Sequence, residues 1–156
     1  MTNSEICKIF RDIADLLELK GENPFKARAY RTVVRNIEEL AVPIADLVAK
    51  NQLNEIPGAG EAIRKKITEL VTTGHLKYYE DLKAEFPPGI VELLALPGIG
   101  PKTARVLYNE LGVKSVAELE KALVSGKQLP HMGEKMRENI LRGIELAKNG
   151  KQRVKD

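Results

Sequence analysis

The positions in this chain that could do chemistry are, first of all, glycines. One short phrase is written three times: Ile56-Pro57-Gly58-Ala59-Gly60, Leu96-Pro97-Gly98-Ile99-Gly100 and Leu129-Pro130-His131-Met132-Gly133. Each copy ends an apolar stretch and opens a segment of helical periodicity. Glycine reaches a positive φ without a Cβ clash, so such a phrase makes a tight turn. A helix that starts directly after it presents backbone N–H groups at its positive dipole end, where an anion is favoured. One such turn is a loop; three in a lysine-rich chain point to the phosphate backbone of nucleic acid. The third copy differs, because His131 stands where the others have glycine and histidine is uncommon at positive φ. It is read as a degenerate partner that completes the fold around the second turn.

The turns need helices on both sides, and the hydrophobic pattern supplies them. Nothing reads as strand. Ile6, Ile9, Phe10, Ile13, Leu16 and Leu17 recur at helical spacing behind a Thr2-x-x-Glu5 capping box, and Gly21 ends that helix. Tyr30, Val33, Val34, Ile37, Leu40 and Ala41 form the stripe of a second helix begun at Pro24, with Arg28, Arg31 and Arg35 on its opposite face. A short helix over 43–50 leads into the first turn. Ile63, Ile67, Leu70 and Val71 then mark a long helix closed by Gly74, and 76–85 a fourth. Consecutive prolines forbid helix continuation, so 86–89 (Phe-Pro-Pro-Gly) is read as a linker. Beyond it come an apolar turn at 90–96, the second glycine turn, and a helix through Ala104, Leu107, Tyr108 and Leu111 that stops at Gly112. Ser115-x-x-Glu118 caps a short helix to Leu123, and Ile140, Leu141, Ile144 and Ala147 stripe a last one. The expected fold class is all-α, in two small helical subdomains, 1–85 and 90–156. The second holds two copies of the turn, as expected of a pair packed about a pseudo-two-fold axis.

Composition narrows the function classes. The 156 residues suffice for one ordinary domain or two small ones, and the net charge of +3 is no polycation. The tail is more one-sided: Lys127, Lys135, Arg137, Arg142, Lys148, Lys151, Arg153 and Lys155 outnumber Glu134, Glu138, Glu145 and Asp156. It is either a solvated helix end or a nucleic-acid contact. Cys7 is alone, which argues for a reducing, cytoplasmic setting, and two histidines with one cysteine make a zinc site unexpected. No apolar run is long enough to cross a membrane, and no membrane partner is expected.

Ile56-Pro57-Gly58-Ala59-Gly60 and Leu96-Pro97-Gly98-Ile99-Gly100-Pro101-Lys102-Thr103-Ala104 resemble helix-hairpin-helix motifs. The wider text resembles the amino-terminal region of family X DNA polymerases. Asn23-Pro24-Phe25-Lys26-Ala27-Arg28-Ala29-Tyr30-Arg31 and Ile63-Arg64-Lys65-Lys66-Ile67-Thr68-Glu69-Leu70 are similar to their lyase domain, and the second half to their DNA-binding fingers subdomain. The resemblance covers essentially the whole chain. The family's polymerase site, an Asp-x-Asp pair and a third carboxylate holding magnesium in a palm domain, has no counterpart here. The expectation is therefore a stand-alone relative or a piece of a longer enzyme, with no polymerase activity and no magnesium site in this chain.

The resemblance implies particular roles. Backbone N–H groups at Gly58, Gly60 and Ala62, and at Gly98, Gly100, Lys102 and Thr103, would hold phosphate oxygens. Carbonyls of Asn54, Ile56 and Ala59, and of Leu94, Leu96 and Ile99, would hold a monovalent cation, sodium or potassium. Lys66 stands where the family has the amine that removes a 5′-deoxyribose phosphate in base excision repair through a Schiff base. If Ile63, Ile67, Leu70 and Val71 are the buried stripe, Lys66 falls on its flank while Lys65 points away. Partial burial, with Arg64 and Lys65 nearby, would lower its pKa toward the nucleophilic range. Lysine snorkelling over the stripe is the plain alternative. Lys26 matches a lysine near the 5′ phosphate, and Tyr30 a tyrosine that orders the pocket, with plain core as its alternative because it lies on the apolar stripe. Phe25 stands where some members have a histidine that stacks on a template base, and its ring keeps the stacking but loses the polar edge. Ala62 and Tyr78 depart from the pattern, standing where animal members carry cations, and Arg64 or Lys77 would have to compensate.

Two function classes follow. One is a sequence-independent DNA-binding module for gapped, nicked or 5′-phosphate-bearing DNA, nucleoid-associated, with or without lyase activity, that would serve a palm domain. The other is a non-catalytic helical scaffold that binds proteins.

Overall fold

Short polar side chains set where several of these helices begin. In the computed structural model, α1 (Asn3–Lys20) starts at Thr2, whose hydroxyl accepts the Glu5 N–H while the Glu5 carboxylate accepts the Thr2 N–H, both at 3.1 Å. Gly21 ends it in the left-handed conformation, φ 83°. Asn23 caps α2 (Pro24–Glu38), with Pro24 in its first turn. The structure describes all residues except Pro97, Lys127, Gln128, Pro130, His131 and Asp156, and side chains as far as Asn149. Among the described residues there is no strand and no helix long and apolar enough to cross a membrane.

The chain divides into two compact units, Met1–Lys83 and Ala84–Asp156. In the first, α1 packs on α2, burying Ile6, Phe10, Ile13 and Leu17 together with Tyr30, Val33, Val34 and Ile37. Leu40 and Ala41 were expected on the α2 stripe. The helix instead ends at Glu38, before them, and Ala41 is exposed. Arg31, expected with Arg28 and Arg35 on the face opposite the stripe, is turned toward α1. Its guanidinium bonds Asp15 at 2.9 Å and Glu18 at 2.6 Å, fastening α2 to α1. The Asn3 side chain accepts the Ile44 N–H at 2.8 Å and donates to the Val42 carbonyl at 3.1 Å, tying α1 to the start of α3 (Ile44–Ala49). A 3-10 turn over Leu53–Glu55 then delivers the chain to the first glycine phrase and α4 (Glu61–Thr73). Gly74, at φ 78°, reverses it into α5 (Lys77–Ala84), whose first N–H donates to Glu69 at 2.8 Å.

In the second unit, Pro88 and Gly89 are helical. Pro87 is the N-cap and Pro88 the first residue of α6 (Pro88–Leu94), so the stretch 90–96, expected as an apolar turn, is largely the rest of that helix. A second proline breaks a helix that precedes it but suits one that begins there. Gly89 permits a close approach: a Cβ there would lie 2.2 Å from the Lys114 carbonyl oxygen and 2.7 Å from the Ser115 Cα. The second glycine phrase opens α7 (Pro101–Leu111), Ser115 caps α8 (Val116–Val124), and α9 runs Glu134–Lys155. Ile90, Leu93, Ala104, Leu107, Leu119, Leu123, Ile140 and Ile144 are buried, so every helix of the unit supplies its core.

Candidate nucleic-acid interface

The first two glycine turns are conformational copies. Gly58 and Gly98 sit at φ 80° and 85°. In the first turn, Ile56 N–H donates to Leu53 at 3.1 Å, Ala59 to Ile56 at 3.2 Å, and Arg64 to Gly60 at 2.9 Å. In the second, Leu96 donates to Leu93 at 3.1 Å, Ile99 to Leu96 at 3.2 Å, and Ala104 to Gly100 at 2.9 Å. The apolar member of each phrase anchors it: Ile56 and Ala59, Leu96 and Ile99 are all buried. Around the third phrase, Met132 donates to Leu129 at 3.3 Å and Arg137 to Gly133 at 3.0 Å, the same two closing bonds. His131 and its φ lie outside the described residues.

Gly60 and Gly100 are N-caps of α4 and α7, and neither carries a side-chain capping bond. This contrasts with α1, α2 and α8, which Thr2, Asn23 and Ser115 close. The hairpin helices thus begin with backbone N–H groups that no capping side chain takes, at Gly60, Glu61 and Ala62 and at Gly100, Lys102 and Thr103, Pro101 having no N–H to offer. Lys102 is exposed beside the second set, and Ala62 beside the first. Two residues the sequence did not single out seat the first turn. Asn36 of α2 donates to the Pro57 carbonyl at 2.6 Å, and a Cβ on Gly58 would come within 3.2 Å of the Thr32 methyl. Asn36 and Thr32 lie some twenty residues upstream, so no local pattern could have found them.

The lyase-type residues fall on α4, α5 and α2 of the first unit. Lys66 is half-buried on α4 and Lys65 is exposed, paired with Glu61 at 3.6 Å. Burial pushes the Lys66 amine below its ordinary value. The expected contribution of Arg64 and Lys65 gives way to an opposing one, since the Glu69 carboxylate pulls the pKa back up. The Lys66 Nζ stands 4.7 Å from the centroid of the Tyr78 ring. Tyr78 stacks on Tyr30, centroids 6.4 Å apart and planes at 14°, and Tyr30 meets the buried Phe10 edge-on at 5.5 Å. Tyr30 is therefore both core and neighbour of the lysine pocket; burial, reinforced by Tyr78, drives its phenol well above the usual range. Lys66, Tyr78, Ala62 and Glu69 line one open depression. Arg64 lines an adjoining one with Asn51, Asn54 and Thr68, and Glu61 and Lys65 line both.

Phe25 and Lys26 stand in the first turn of α2. Phe25 is 68% exposed, with the Arg28 guanidinium 5.4 Å from its ring centroid. Lys26 pairs with Glu22 at 3.6 Å and remains mostly exposed. In the tail, Arg137 donates to the Leu123 carbonyl and Lys148 pairs with Glu120 at 2.7 Å.

Two glycine-capped hairpins in an all-helical chain define the helix-hairpin-helix class. Residues 1–76 match the family model of a helix-hairpin-helix domain, and residues 90–145 that of a SAM-like helix-hairpin-helix tandem. The chain is similar to the DNA polymerase/3'-5' exonuclease PolX of Bacillus subtilis (strain 168), 34% identical over 154 residues, which are 97% of this chain and 26% of that protein. It is also similar to DNA polymerase lambda of Arabidopsis thaliana, 30% identical over 119 residues, 76% of this chain and 22% of that one. Within its class, the chain belongs with the amino-terminal helix-hairpin-helix region of the family X DNA polymerases. It spans about a quarter of the length of these relatives.

Proposed function

We propose that this chain is a DNA-binding module that grips gapped or nicked DNA through its backbone phosphates and removes a 5′-deoxyribose phosphate with Lys66. DNA as the partner is supported by the two helix-hairpin-helix domains and by the two polymerases to which the chain is similar. The observation that carries the reading is the matched pair of glycine N-caps on α4 and α7, both without a capping side chain. Each N-terminus offers N–H donors and a positive dipole end to a phosphate oxygen. Such contacts read no base, so binding is sequence-independent and weakens with salt.

A monovalent cation fits the approach side of each turn. The Ile56 and Leu96 carbonyls accept the Ala59 and Ile99 N–H groups at 3.2 Å, and a carbonyl oxygen has a second lone pair to offer. Together with Asn54 and Ala59, or Leu94 and Ile99, they would hold sodium or potassium, which adds positive charge next to the phosphate.

The lyase step needs Lys66 as a free amine. It adds to the C1′ aldehyde and expels water, giving a protonated Schiff base. Loss of a C2′ proton to solvent then drives cleavage of the C3′–O bond, which releases the 5′-phosphorylated strand; water later frees the sugar and restores the amine. Burial of Lys66 favours the first step by lowering its pKa. A module of this kind belongs in base excision repair, acting where the DNA is, in the cytoplasm or nucleoid.

Two measurements test the reading. Affinity for a single-nucleotide gap should exceed that for intact duplex across a salt series, and Gly98→Val should lower it with the fold retained. Equal affinity for both DNAs would sink gap recognition, and no affinity for either would favour the protein scaffold. Borohydride should trap an adduct on a 5′-deoxyribose-phosphate gap, and Lys66→Ala should abolish it.

A further inference from the structure

Among the described residues the Tyr78 ring is the aromatic side chain placed over the amine of Lys66, and its position is strongly determined. Gly74 reverses the chain at φ 78°, the Lys77 N–H is held by Glu69 at 2.8 Å, and Leu76 is buried between them. The ring is then tied to the core through Tyr30 and Phe10, so its face toward Lys66 is anchored at the far end by a fully buried phenylalanine. Resting on the reading of Lys66 as the reacting amine, we propose that Tyr78 is its positioning residue, an aromatic platform that aims the amine into the open depression and stabilises the iminium that forms there.

The physical argument follows the charge on the nitrogen. An aromatic face attracts a cation through its quadrupole and does little for a neutral amine. Lys66 starts as an ammonium, passes through the free amine, and becomes a cation again when the protonated Schiff base forms. The ring therefore holds the cationic Nζ in place before reaction and holds the iminium in the same place afterwards, so what it supplies is position. Partial burial lowers the pKa of the amine, easing passage through the neutral form. The attraction comes from the ring face, and the Tyr78 hydroxyl is engaged with Tyr30 and not with the amine, so phenylalanine, which keeps the face and the stacking, should serve as well.

The test uses a small neutral aldehyde, glycolaldehyde, with cyanoborohydride and the full chain. The aldehyde condenses with a lysine amine, water leaves, and hydride reduces the imine to a secondary amine that is mapped by mass spectrometry. Lys65, next in sequence and exposed, is the internal reference. Lys66 should label in preference to Lys65 in the parent and equally so in Tyr78→Phe. In Tyr78→Leu, which keeps an apolar cover but removes the π face, the preference should fall about five-fold or more. The ε-methylene protons of Lys66 should carry an upfield ring-current shift in the parent and in Tyr78→Phe, lost in Tyr78→Leu. Circular dichroism confirms that each variant is folded. A Lys66 preference that survives Tyr78→Leu, or is absent from the parent, overturns the proposal. Preferential labelling by glycolaldehyde without any adduct on 5′-deoxyribose-phosphate DNA would overturn the lyase reading alone and leave the role of Tyr78 standing.

Discussion

At Lys66 two effects pull on one proton. Desolvation disfavours the ammonium and Glu69 favours it, with desolvation the larger. Glu69→Gln isolates the second effect, because glutamine keeps a carbonyl oxygen to accept the Lys77 N–H. The sign is fixed: removing the carboxylate lowers the Lys66 pKa further, so more free amine is present at neutral pH. A pH profile of borohydride trapping should rise at lower pH in Glu69→Gln than in the parent, and the parent should itself rise below the range of an exposed lysine. An unchanged profile would mean that solvent screens the pair. Arg31 is the opposite kind of residue, a cation already committed inside the unit to Asp15 and Glu18. All three side chains are partly exposed, so Arg31→Ala should cost only about 1 kcal/mol of stability. The salt dependence of DNA binding should not move, which separates it from a phosphate contact.

The glycine turn is the element in which local sequence and remote packing meet. Gly58 is at φ 80° with the Thr32 methyl where a Cβ would press at 3.2 Å, whereas Gly60 is at φ −70° with open space around it. Thermal melts should show Gly58→Ala destabilising by about 1–3 kcal/mol and Gly60→Ala by much less. Gly98→Ala should fall between, since it shares the positive φ but finds only Ile140 at 3.9 Å. Asn36→Ala removes the bond to Pro57 and should cost about 1 kcal/mol while loosening phosphate binding at that turn. What the sequence made legible and what it hid divide along the same line. The Thr2–Glu5 box, the glycine stops at 21, 74 and 112, and the Ser115 cap act within five residues and were readable as written. Pro88 was misread because its meaning depends on which side of it the helix lies. The ring row of Phe10, Tyr30 and Tyr78, the seat that Asn36 and Thr32 give the first turn, and the approach of Lys114 to Gly89 join residues far apart in sequence. Periodicity carries no trace of them.

Across the whole molecule the charge is uneven. Acidic and basic residues balance in Met1–Lys83, so the surplus of +3 lies in Ala84–Asp156. The first unit holds the half-buried Lys66 over the Tyr78 ring; the second holds the excess of positive charge and Lys102 exposed beside its glycine turn. On a shared DNA the second unit should therefore supply most of the salt-dependent grip, and the first a contact that depends more on geometry. Lys102→Ala should flatten the plot of log affinity against log salt by about 0.9. If both turns engage one gapped DNA, each raises the effective concentration of the other. Gly58→Val and Gly98→Val should then each lose much of the affinity, and the double variant should bind no better than non-specific controls, all three judged by circular dichroism to be folded. Gly98→Val should also lower the salt slope more than Gly58→Val does. A Gly58→Val chain that binds the gap as tightly as the parent would mean that the second unit grips DNA alone, leaving the first for its lysine chemistry.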